Sequence, residues 1–335
     1  MPAPRLVDRS PVVPPETLVA GMVPPPRFAD ARFSTYLPDP DHPSQARAVT
    51  VLQQFAGTFE PPRKGLFGRT KAPDGRPGVY LDGGYGVGKT HLLASLWHEA
   101  PEPRAYGTFV ELTHLVGALG FAGTVEALSR HRLLAIDEFE LDDPGDTVLV
   151  STLLSKLVGA GVRVAATSNT LPGSLGEGRF AAQDFLREIQ SLSRHFEPVR
   201  VEGEDYRHRG LPSAPPPVDD DQVVRRAEQT TGATCDAFAD LVRHLSELHP
   251  SRYGALVDEV ALVGLTGVTP VHDQAAALRL VVLADRLYDR DVPVLSSGAP
   301  LDELFPQELL KGGYRKKYLR AVSRLTALAR GAQAS

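Results

Sequence analysis

The chain has 335 residues, room for roughly two domains of ~150 residues each, and 42% of them are apolar, enough to build a real core. Acidic residues outnumber basic ones 41 to 36, a net charge of -5, which argues against a dedicated nucleic-acid binder because such proteins carry a basic footprint. The single cysteine, Cys235, excludes an intramolecular disulfide framework and a cysteine zinc site, and it fits a reducing compartment.

Residues 1–26 are broken by prolines and hold no continuous apolar stretch, so no secretory signal is expected. No run of about eighteen apolar residues occurs, so a soluble, cytoplasmic protein is expected. Residues 1–43 read as a proline-rich arm, with Phe28, Phe33 and Tyr36 as candidate anchors to the core. Ser44–Phe55 reads as a helix capped by Ser44, with Ala48, Val51, Leu52 and Phe55 on one face. Residues 57–77 read as a Gly/Pro-rich loop with Arg63, Lys64, Arg69, Lys71 and Arg76: solvated, or a contact to a partner's acidic surface or to phosphate.

Apolar strands then alternate with helices, the pattern of a parallel sheet wrapped by helices. The strands are expected at Gly78–Leu81, Ala105–Val110, Leu133–Asp137, Val162–Ser168 and Pro198–Val201. The helices between them are expected at Thr90–Ala100, Glu111–Gly120, Asp146–Val158 and Phe180–Arg194. A parallel α/β core is thus placed at 44–209, a linker at 210–222 and a C-terminal α/β region at 223–335. That last region is read as a helix near Ala237–Leu248, a strand Glu259–Leu265, a long amphipathic helix through Leu280 and Leu287, a strand Val292–Ser297 and a basic helix Tyr314–Ala329.

The chemistry centres on Gly83-Gly84-Tyr85-Gly86-Val87-Gly88-Lys89-Thr90, which fits the phosphate-binding loop G-x-x-x-x-G-K-[ST] between a strand and a helix. Backbone N–H groups of such a loop, and the helix that opens at Thr90-His91, turn toward a polyphosphate. Lys89 would reach the β- and γ-phosphates, and the Thr90 hydroxyl would ligate magnesium. Leu133-Leu134-Ala135-Ile136-Asp137-Glu138 is a buried strand delivering two carboxylates to its C-terminal edge, where ligands sit in open α/β sheets. Asp137 would hold the metal, and Glu138 would orient and polarise the attacking water. A glutamate beside the metal-binding aspartate favours water over a substrate hydroxyl, hence ATP hydrolysis over a small-molecule kinase.

Asn169, at the end of Val162–Ser168, is placed to contact the γ-phosphate or the water. Charge on the transferring phosphoryl group calls for an arginine. Arg179 and Arg187 are candidates to act on a neighbouring subunit, and Arg207 and Arg324 to act in cis. No His-Glu-x-x-His pair and no Gly-x-Ser-x-Gly elbow occurs.

With these signals in order, the chain resembles the ZapE family of AAA+ ATPases, the bacterial cell-division ATPases with mitochondrial relatives. The resemblance runs from about residue 28 to 328. It is carried by the phosphate loop, Ile136-Asp137-Glu138-Phe139, Thr167-Ser168-Asn169, Glu204-Asp205-Tyr206-Arg207, His42-Pro43-Ser44-Gln45, Leu287-Tyr288-Asp289-Arg290, Ala299-Pro300-Leu301-Asp302-Glu303-Leu304 and Ser323-Arg324-Leu325. It implies an AAA+ P-loop core with a C-terminal α/β extension, magnesium-dependent ATP hydrolysis, assembly with a site shared between copies, and a division role through the tubulin-like protein FtsZ. The family's finger arginine falls near Ala182 here, so Arg179 or Arg187 would have to replace it. The alternative is a nucleotide-switched loader that binds single-stranded DNA. Tyr314, Arg315, Lys316, Lys317, Tyr318 and Arg320 would supply its basic and aromatic groups.

Overall fold

The computed structural model describes residues 3–59, 76–84, 86–141, 144–171, 175, 186–203 and 213–334. The chain divides into two units, one of Pro15–Pro24 and Phe28–Arg209, the other of Met1–Pro14, Pro25–Arg27 and Gly210–Ser335.

The first unit contains α1 (Pro15–Ala20), α2 (Pro43–Ala56), β1 (Gly78–Gly83), α3 (Lys89–Glu99), β2 (Arg104–Thr108), α4 (Phe109–Leu128), β3 (Leu133–Asp137), α5 (Pro144–Gly159), β4 (Arg163–Ser168), α6 (Leu186–His195) and β5 (Phe196–Val201). The five strands form one parallel sheet in the order β2-β3-β4-β1-β5. Parallel strands are covered on both faces, so they read as continuous apolar runs. Side chains alternate across the pleat. Tyr80, Leu134, Ile136, Val164 and Ala166 pack with α4, α5 and α6 residues such as Leu112, Leu153 and Ile189. Val79, Leu81, Leu133, Ala135 and Ala165 pack with Leu52 of α2 and Leu92, Leu93 and Leu96 of α3. The result is a three-layer sandwich whose polar strand ends converge on one edge.

Several boundaries depart from the sequence reading. The α2 helix starts at Pro43, whose fixed φ suits a first helical position, and Ser44 does not cap it. Its hydroxyl instead accepts from the Glu202 N–H at 2.9 Å. The β2 strand ends at Thr108 rather than Val110, because Thr108 and Glu111 form a reciprocal capping box that opens α4. Gly120 does not end α4: it takes φ 71°, the helix kinks there, and it resumes to Leu128.

The second unit contains α7 (Asp220–Gln229), β6 (Ala233–Ala237), α8 (Phe238–Glu247), α9 (Tyr253–Leu256), β7 (Leu262–Val268), α10 (Gln274–Asp289), β8 (Val294–Gly298), α11 (Gln307–Leu310) and α12 (Arg315–Ala334). Its three strands are parallel in the order β6-β7-β8. Residues of α8, α10 and α12 share a core with Val263 and Val294, and Leu6 is buried in it. Val223 and Ala227 of α7 share a smaller cluster with Leu262 and Leu295. Four of these elements, α7, β6 and the short α9 and α11, were not expected. The acidic run read as part of a linker is a helix start: Asp219 and Gln222 form a capping box, and Asp220 and Asp221 sit in the positive first turn.

Candidate active site

The phosphate loop joins β1 to α3 at the edge where the strands end. Its first residue, Gly83, lies so close to β5 that a Cβ there would fall 2.0 Å from the Val201 carbonyl oxygen, so only glycine fits. Gly88 takes φ 84°, and a Cβ on it would lie 2.5 Å from the Tyr36 ring. Lys89 opens α3 and is buried. Its Nζ donates to the Gly83 carbonyl at 3.0 Å, to the Gly84 carbonyl and to Asn169 Oδ1 at 3.0 Å. An ammonium held by three oxygens beside a glycine loop is a cation poised to exchange them for phosphate oxygens. Tyr85 lies outside the described residues.

Three hydroxyls surround Asp137, which ends β3 and is buried. Tyr106 of β2 donates to Oδ2 at 3.0 Å, Thr90 to Oδ1 at 3.3 Å, and Thr167 of β4 also donates to Oδ1. The next residue, Glu138, has φ 54°, a conformation rare outside glycine. Two features hold it there. The Glu138 N–H donates to Thr167 Oγ1 at 3.0 Å and to Asp137 Oδ1 at 3.2 Å, and the Phe139 N–H donates to the Thr167 carbonyl at 2.6 Å. Phe139 itself is fully buried, edge-on to Tyr80, Phe109 and Phe196.

Asn169 follows β4. Its amide accepts from Lys89 and donates to Glu140 Oε1 at 3.4 Å. Lys89, Thr90, Asp137 and Asn169 are therefore brought into one network from three elements. Arg187 stands exposed in the first turn of α6 and makes no hydrogen bond with that network among the described residues. Arg179 and Arg207 lie outside the described residues. Arg324 is held in the second unit: with Arg320, at 2.7 Å, it grips Asp285 of α10. The His91 ring faces residues 32–36, which leaves its backbone N–H as the group that could meet phosphate.

Sequence reasoning missed Tyr106 and Glu140, gave Thr167 no role, and read Tyr36 as an anchor to the core without its bond to the phosphate loop. Tyr106 carried a usable signal, since a tyrosine in a buried strand needs a partner for its hydroxyl. Asp82 was also missed. It is buried at the end of β1 and accepts from Arg200 of β5 at 2.6 Å.

The residues present fit a nucleotide with a hard divalent cation. A hydroxyl and a carboxylate 3.3 Å apart, Thr90 and Asp137, form the sparse oxygen set such a cation takes when it keeps most of its waters.

A family model described as AFG1-like ATPase matches residues 12–224 and 213–334. Cell division protein ZapE of Escherichia coli K12 is 25% identical over 295 residues, covering 74% of this chain and 76% of that one, and the O157:H7 protein matches equally. Among solved structures, that of DnaI is similar with a TM-score of 0.40 and 20% identity, over 54% of this chain and 95% of that one. The first unit is the parallel α/β core of a P-loop AAA+ protein, and the chain belongs to the AFG1-like ATPase family.

Proposed function

We propose that this chain hydrolyses ATP with magnesium at the 83–90 loop and spends the cycle on remodelling a cell-division polymer in the cytoplasm. One observation carries the hydrolytic reading. Asp137 and Glu138 are set by a shared hydroxyl, Thr167, directly beside the Lys89–Thr90 helix start.

Each residue then has one task. Lys89 exchanges the carbonyls of Gly83 and Gly84 for β- and γ-phosphate oxygens. N–H groups of Gly84, Gly86, Val87, Gly88, Thr90 and His91 would line the phosphates. Thr90 and Asp137 would hold magnesium, which would supply charge neutralisation on the phosphates. Glu138 accepts a hydrogen bond from the attacking water and takes up its proton as the water oxygen bonds to the γ-phosphorus and the bond from that phosphorus to the β–γ bridging oxygen breaks, releasing ADP and phosphate. Asn169, tied to Lys89 and Glu140, reports the γ-phosphate to the end of β4. An arginine from a neighbouring copy completes the site, and the exposure of Arg187 on α6 suits that role; Arg179 is the other candidate.

The division role rests on the name of the Escherichia coli relatives, and FtsZ is the partner expected from the family resemblance. The single-stranded DNA reading has less support: of the residues it needs, Arg320 is engaged by Asp285 and Tyr318 is buried.

The test is phosphate release over a range of protein concentrations, for wild type and Glu138→Gln, with and without FtsZ polymers sedimented in parallel. Specific activity rising with concentration, lost in Glu138→Gln, and polymer yield changing only with hydrolysable ATP support the reading. Activity independent of concentration would rule out the shared site. Polymer yield indifferent to ATP would rule out FtsZ.

A further inference from the structure

Residues just ahead of α2 are fastened to the phosphate loop itself. The Tyr36 hydroxyl donates to the Val87 carbonyl at 2.8 Å. Its ring lies against Gly88 and sits 5.7 Å from the His91 ring. His91 Nε2 is 3.1 Å from both the Arg32 carbonyl and Thr35 Oγ1. Two helical turns further along α3, His98 Nε2 is 3.0 Å from the Phe28 carbonyl. Residues 28–36 therefore run along one face of α3, tied at both ends. Residues 39–45 are tied as well: Gln45 accepts from the Asp39 N–H at 2.9 Å and donates to the Glu202 carbonyl at 2.8 Å.

The peptide that Tyr36 holds is the informative one. In a planar trans peptide the carbonyl and the following N–H point in opposite directions. With its carbonyl held by Tyr36, the Val87–Gly88 peptide must aim the Gly88 N–H away from Tyr36. A loop that binds phosphate depends on which way its N–H groups point. Burial pushes the Tyr36 hydroxyl pKa up to about 12, so it remains a protonated donor at neutral pH. Glycine at 88 is needed twice over, for φ 84° and for the approach of the ring.

We infer that Tyr36 is a positioning residue of the nucleotide site: its hydroxyl holds the Val87–Gly88 peptide so that the Gly88 N–H faces phosphate, and docking of residues 28–45 and nucleotide binding stabilise each other. This rests on the 83–90 loop being the nucleotide site. Coupling of this kind is reciprocal, so nucleotide must tighten the segment as much as the segment tightens nucleotide.

The experiment is equilibrium binding of a fluorescent ATP analogue to the full chain, wild type and Tyr36→Phe, with backbone hydrogen exchange of residues 28–45 measured with and without ATP. Tyr36→Phe keeps the ring and loses only the hydroxyl, so the fold is retained. One lost neutral hydrogen bond predicts about three- to tenfold weaker binding, with a smaller fall in turnover at saturating ATP than in affinity. ATP should also slow exchange in residues 28–45 of wild type, and less so in Tyr36→Phe. Tyr36→Leu, which loses the ring as well, should weaken binding further. Equal affinity of wild type and Tyr36→Phe, or exchange in 28–45 indifferent to ATP, would overturn the inference while leaving the site assignment standing. Wild type that fails to bind the analogue would overturn both.

Discussion

The five-stranded and three-stranded sheets end in similar chemistry and treat it differently. In the first, Asp137 at the end of β3 accepts from the hydroxyls of Thr90 and Thr167, and Asn169 just past β4 accepts from the Lys89 ammonium; Thr90 and Lys89 are partners that a ligand can replace. In the second, Asp236 near the end of β6 accepts from the backbone N–H groups of Leu6 and Val7, at 2.9 and 3.1 Å. Ser297 of β8 accepts from the Gly267 N–H at 3.0 Å and donates to Asp220. The connection differs as well. β6 ends at Ala237 and α8 begins at Phe238, whereas a glycine-rich stretch separates β1 from α3. A parallel sheet supplies an edge; what the following loop offers decides whether that edge becomes a site.

The strongest way to break this contrast is Glu138→Gln. The amide keeps the size and cannot accept a proton from water. Turnover should fall about 10²- to 10⁴-fold while ATP still binds. Phosphate release and binding of a fluorescent ATP analogue, measured on the same preparation, check this. Loss of binding together with turnover would mean that Glu138 holds the loop rather than acts on water.

Asp285→Ala probes the other unit. Burial alone would raise the pKa of this carboxylate, but Arg320 and Arg324 hold it below the usual range. Its folded pKa lies under the unfolded one, so its contribution is present above the unfolded value and is lost as pH falls through the depressed one. Removing it leaves two partly buried guanidinium groups without their carboxylate, at a cost of about 3–5 kcal/mol. Denaturant unfolding should show that loss, with ATP affinity unchanged. A parallel fall in affinity would end the separation of roles between the units.

Much of this contrast was legible in the sequence, and the illegible part has physical causes. The phosphate loop, the Asp137-Glu138 strand end and Asn169 were readable because glycines and terminal acids interrupt apolar runs. The five strands were readable for the same reason. What failed were features set by partners distant in the chain. Thr167 looks like any strand threonine until β3 and β4 lie side by side. Tyr36 looks like a loop anchor until its hydroxyl meets Val87. The α7 helix was hidden because Asp219–Asp221 reads equally as a solvated charge run and as a helix start. β6 was hidden because Ala233, Thr234, Cys235, Asp236 and Ala237 include no large apolar side chain to mark a strand.

Thr167→Val sharpens the first half of the comparison. Valine keeps the shape and removes the hydroxyl that orders Asp137 and the Glu138 N–H. Turnover should fall about tenfold, which corresponds to roughly 1.4 kcal/mol of lost ordering. Tyr106→Phe, which removes one donor to Asp137, should cost less. Magnesium titration of ATP binding gives a second readout, since a loosened Asp137 raises the magnesium needed for half-saturation. Unchanged turnover and magnesium demand in both variants would mean that the hydroxyls only fill space.

The smallest expected effect concerns Asp236, where pH is the probe. Burial raises its pKa, against the backbone N–H groups of Leu6 and Val7 and the nearby Arg5, which lower it. The folded pKa lies above the unfolded one, the opposite of Asp285. Its contribution is therefore full below the unfolded value and is lost as pH rises through the folded value. Asp236→Asn cannot titrate and keeps an oxygen for at least one of the two N–H groups. Its stability should follow a flatter course than wild type above the ordinary aspartate range, with a net change of about 1 kcal/mol. ATP turnover should be untouched, because the strand end that Asp236 occupies is filled by backbone. A pH course identical to wild type would mean that Asp236 stays charged throughout and acts only as a clamp on residues 6 and 7.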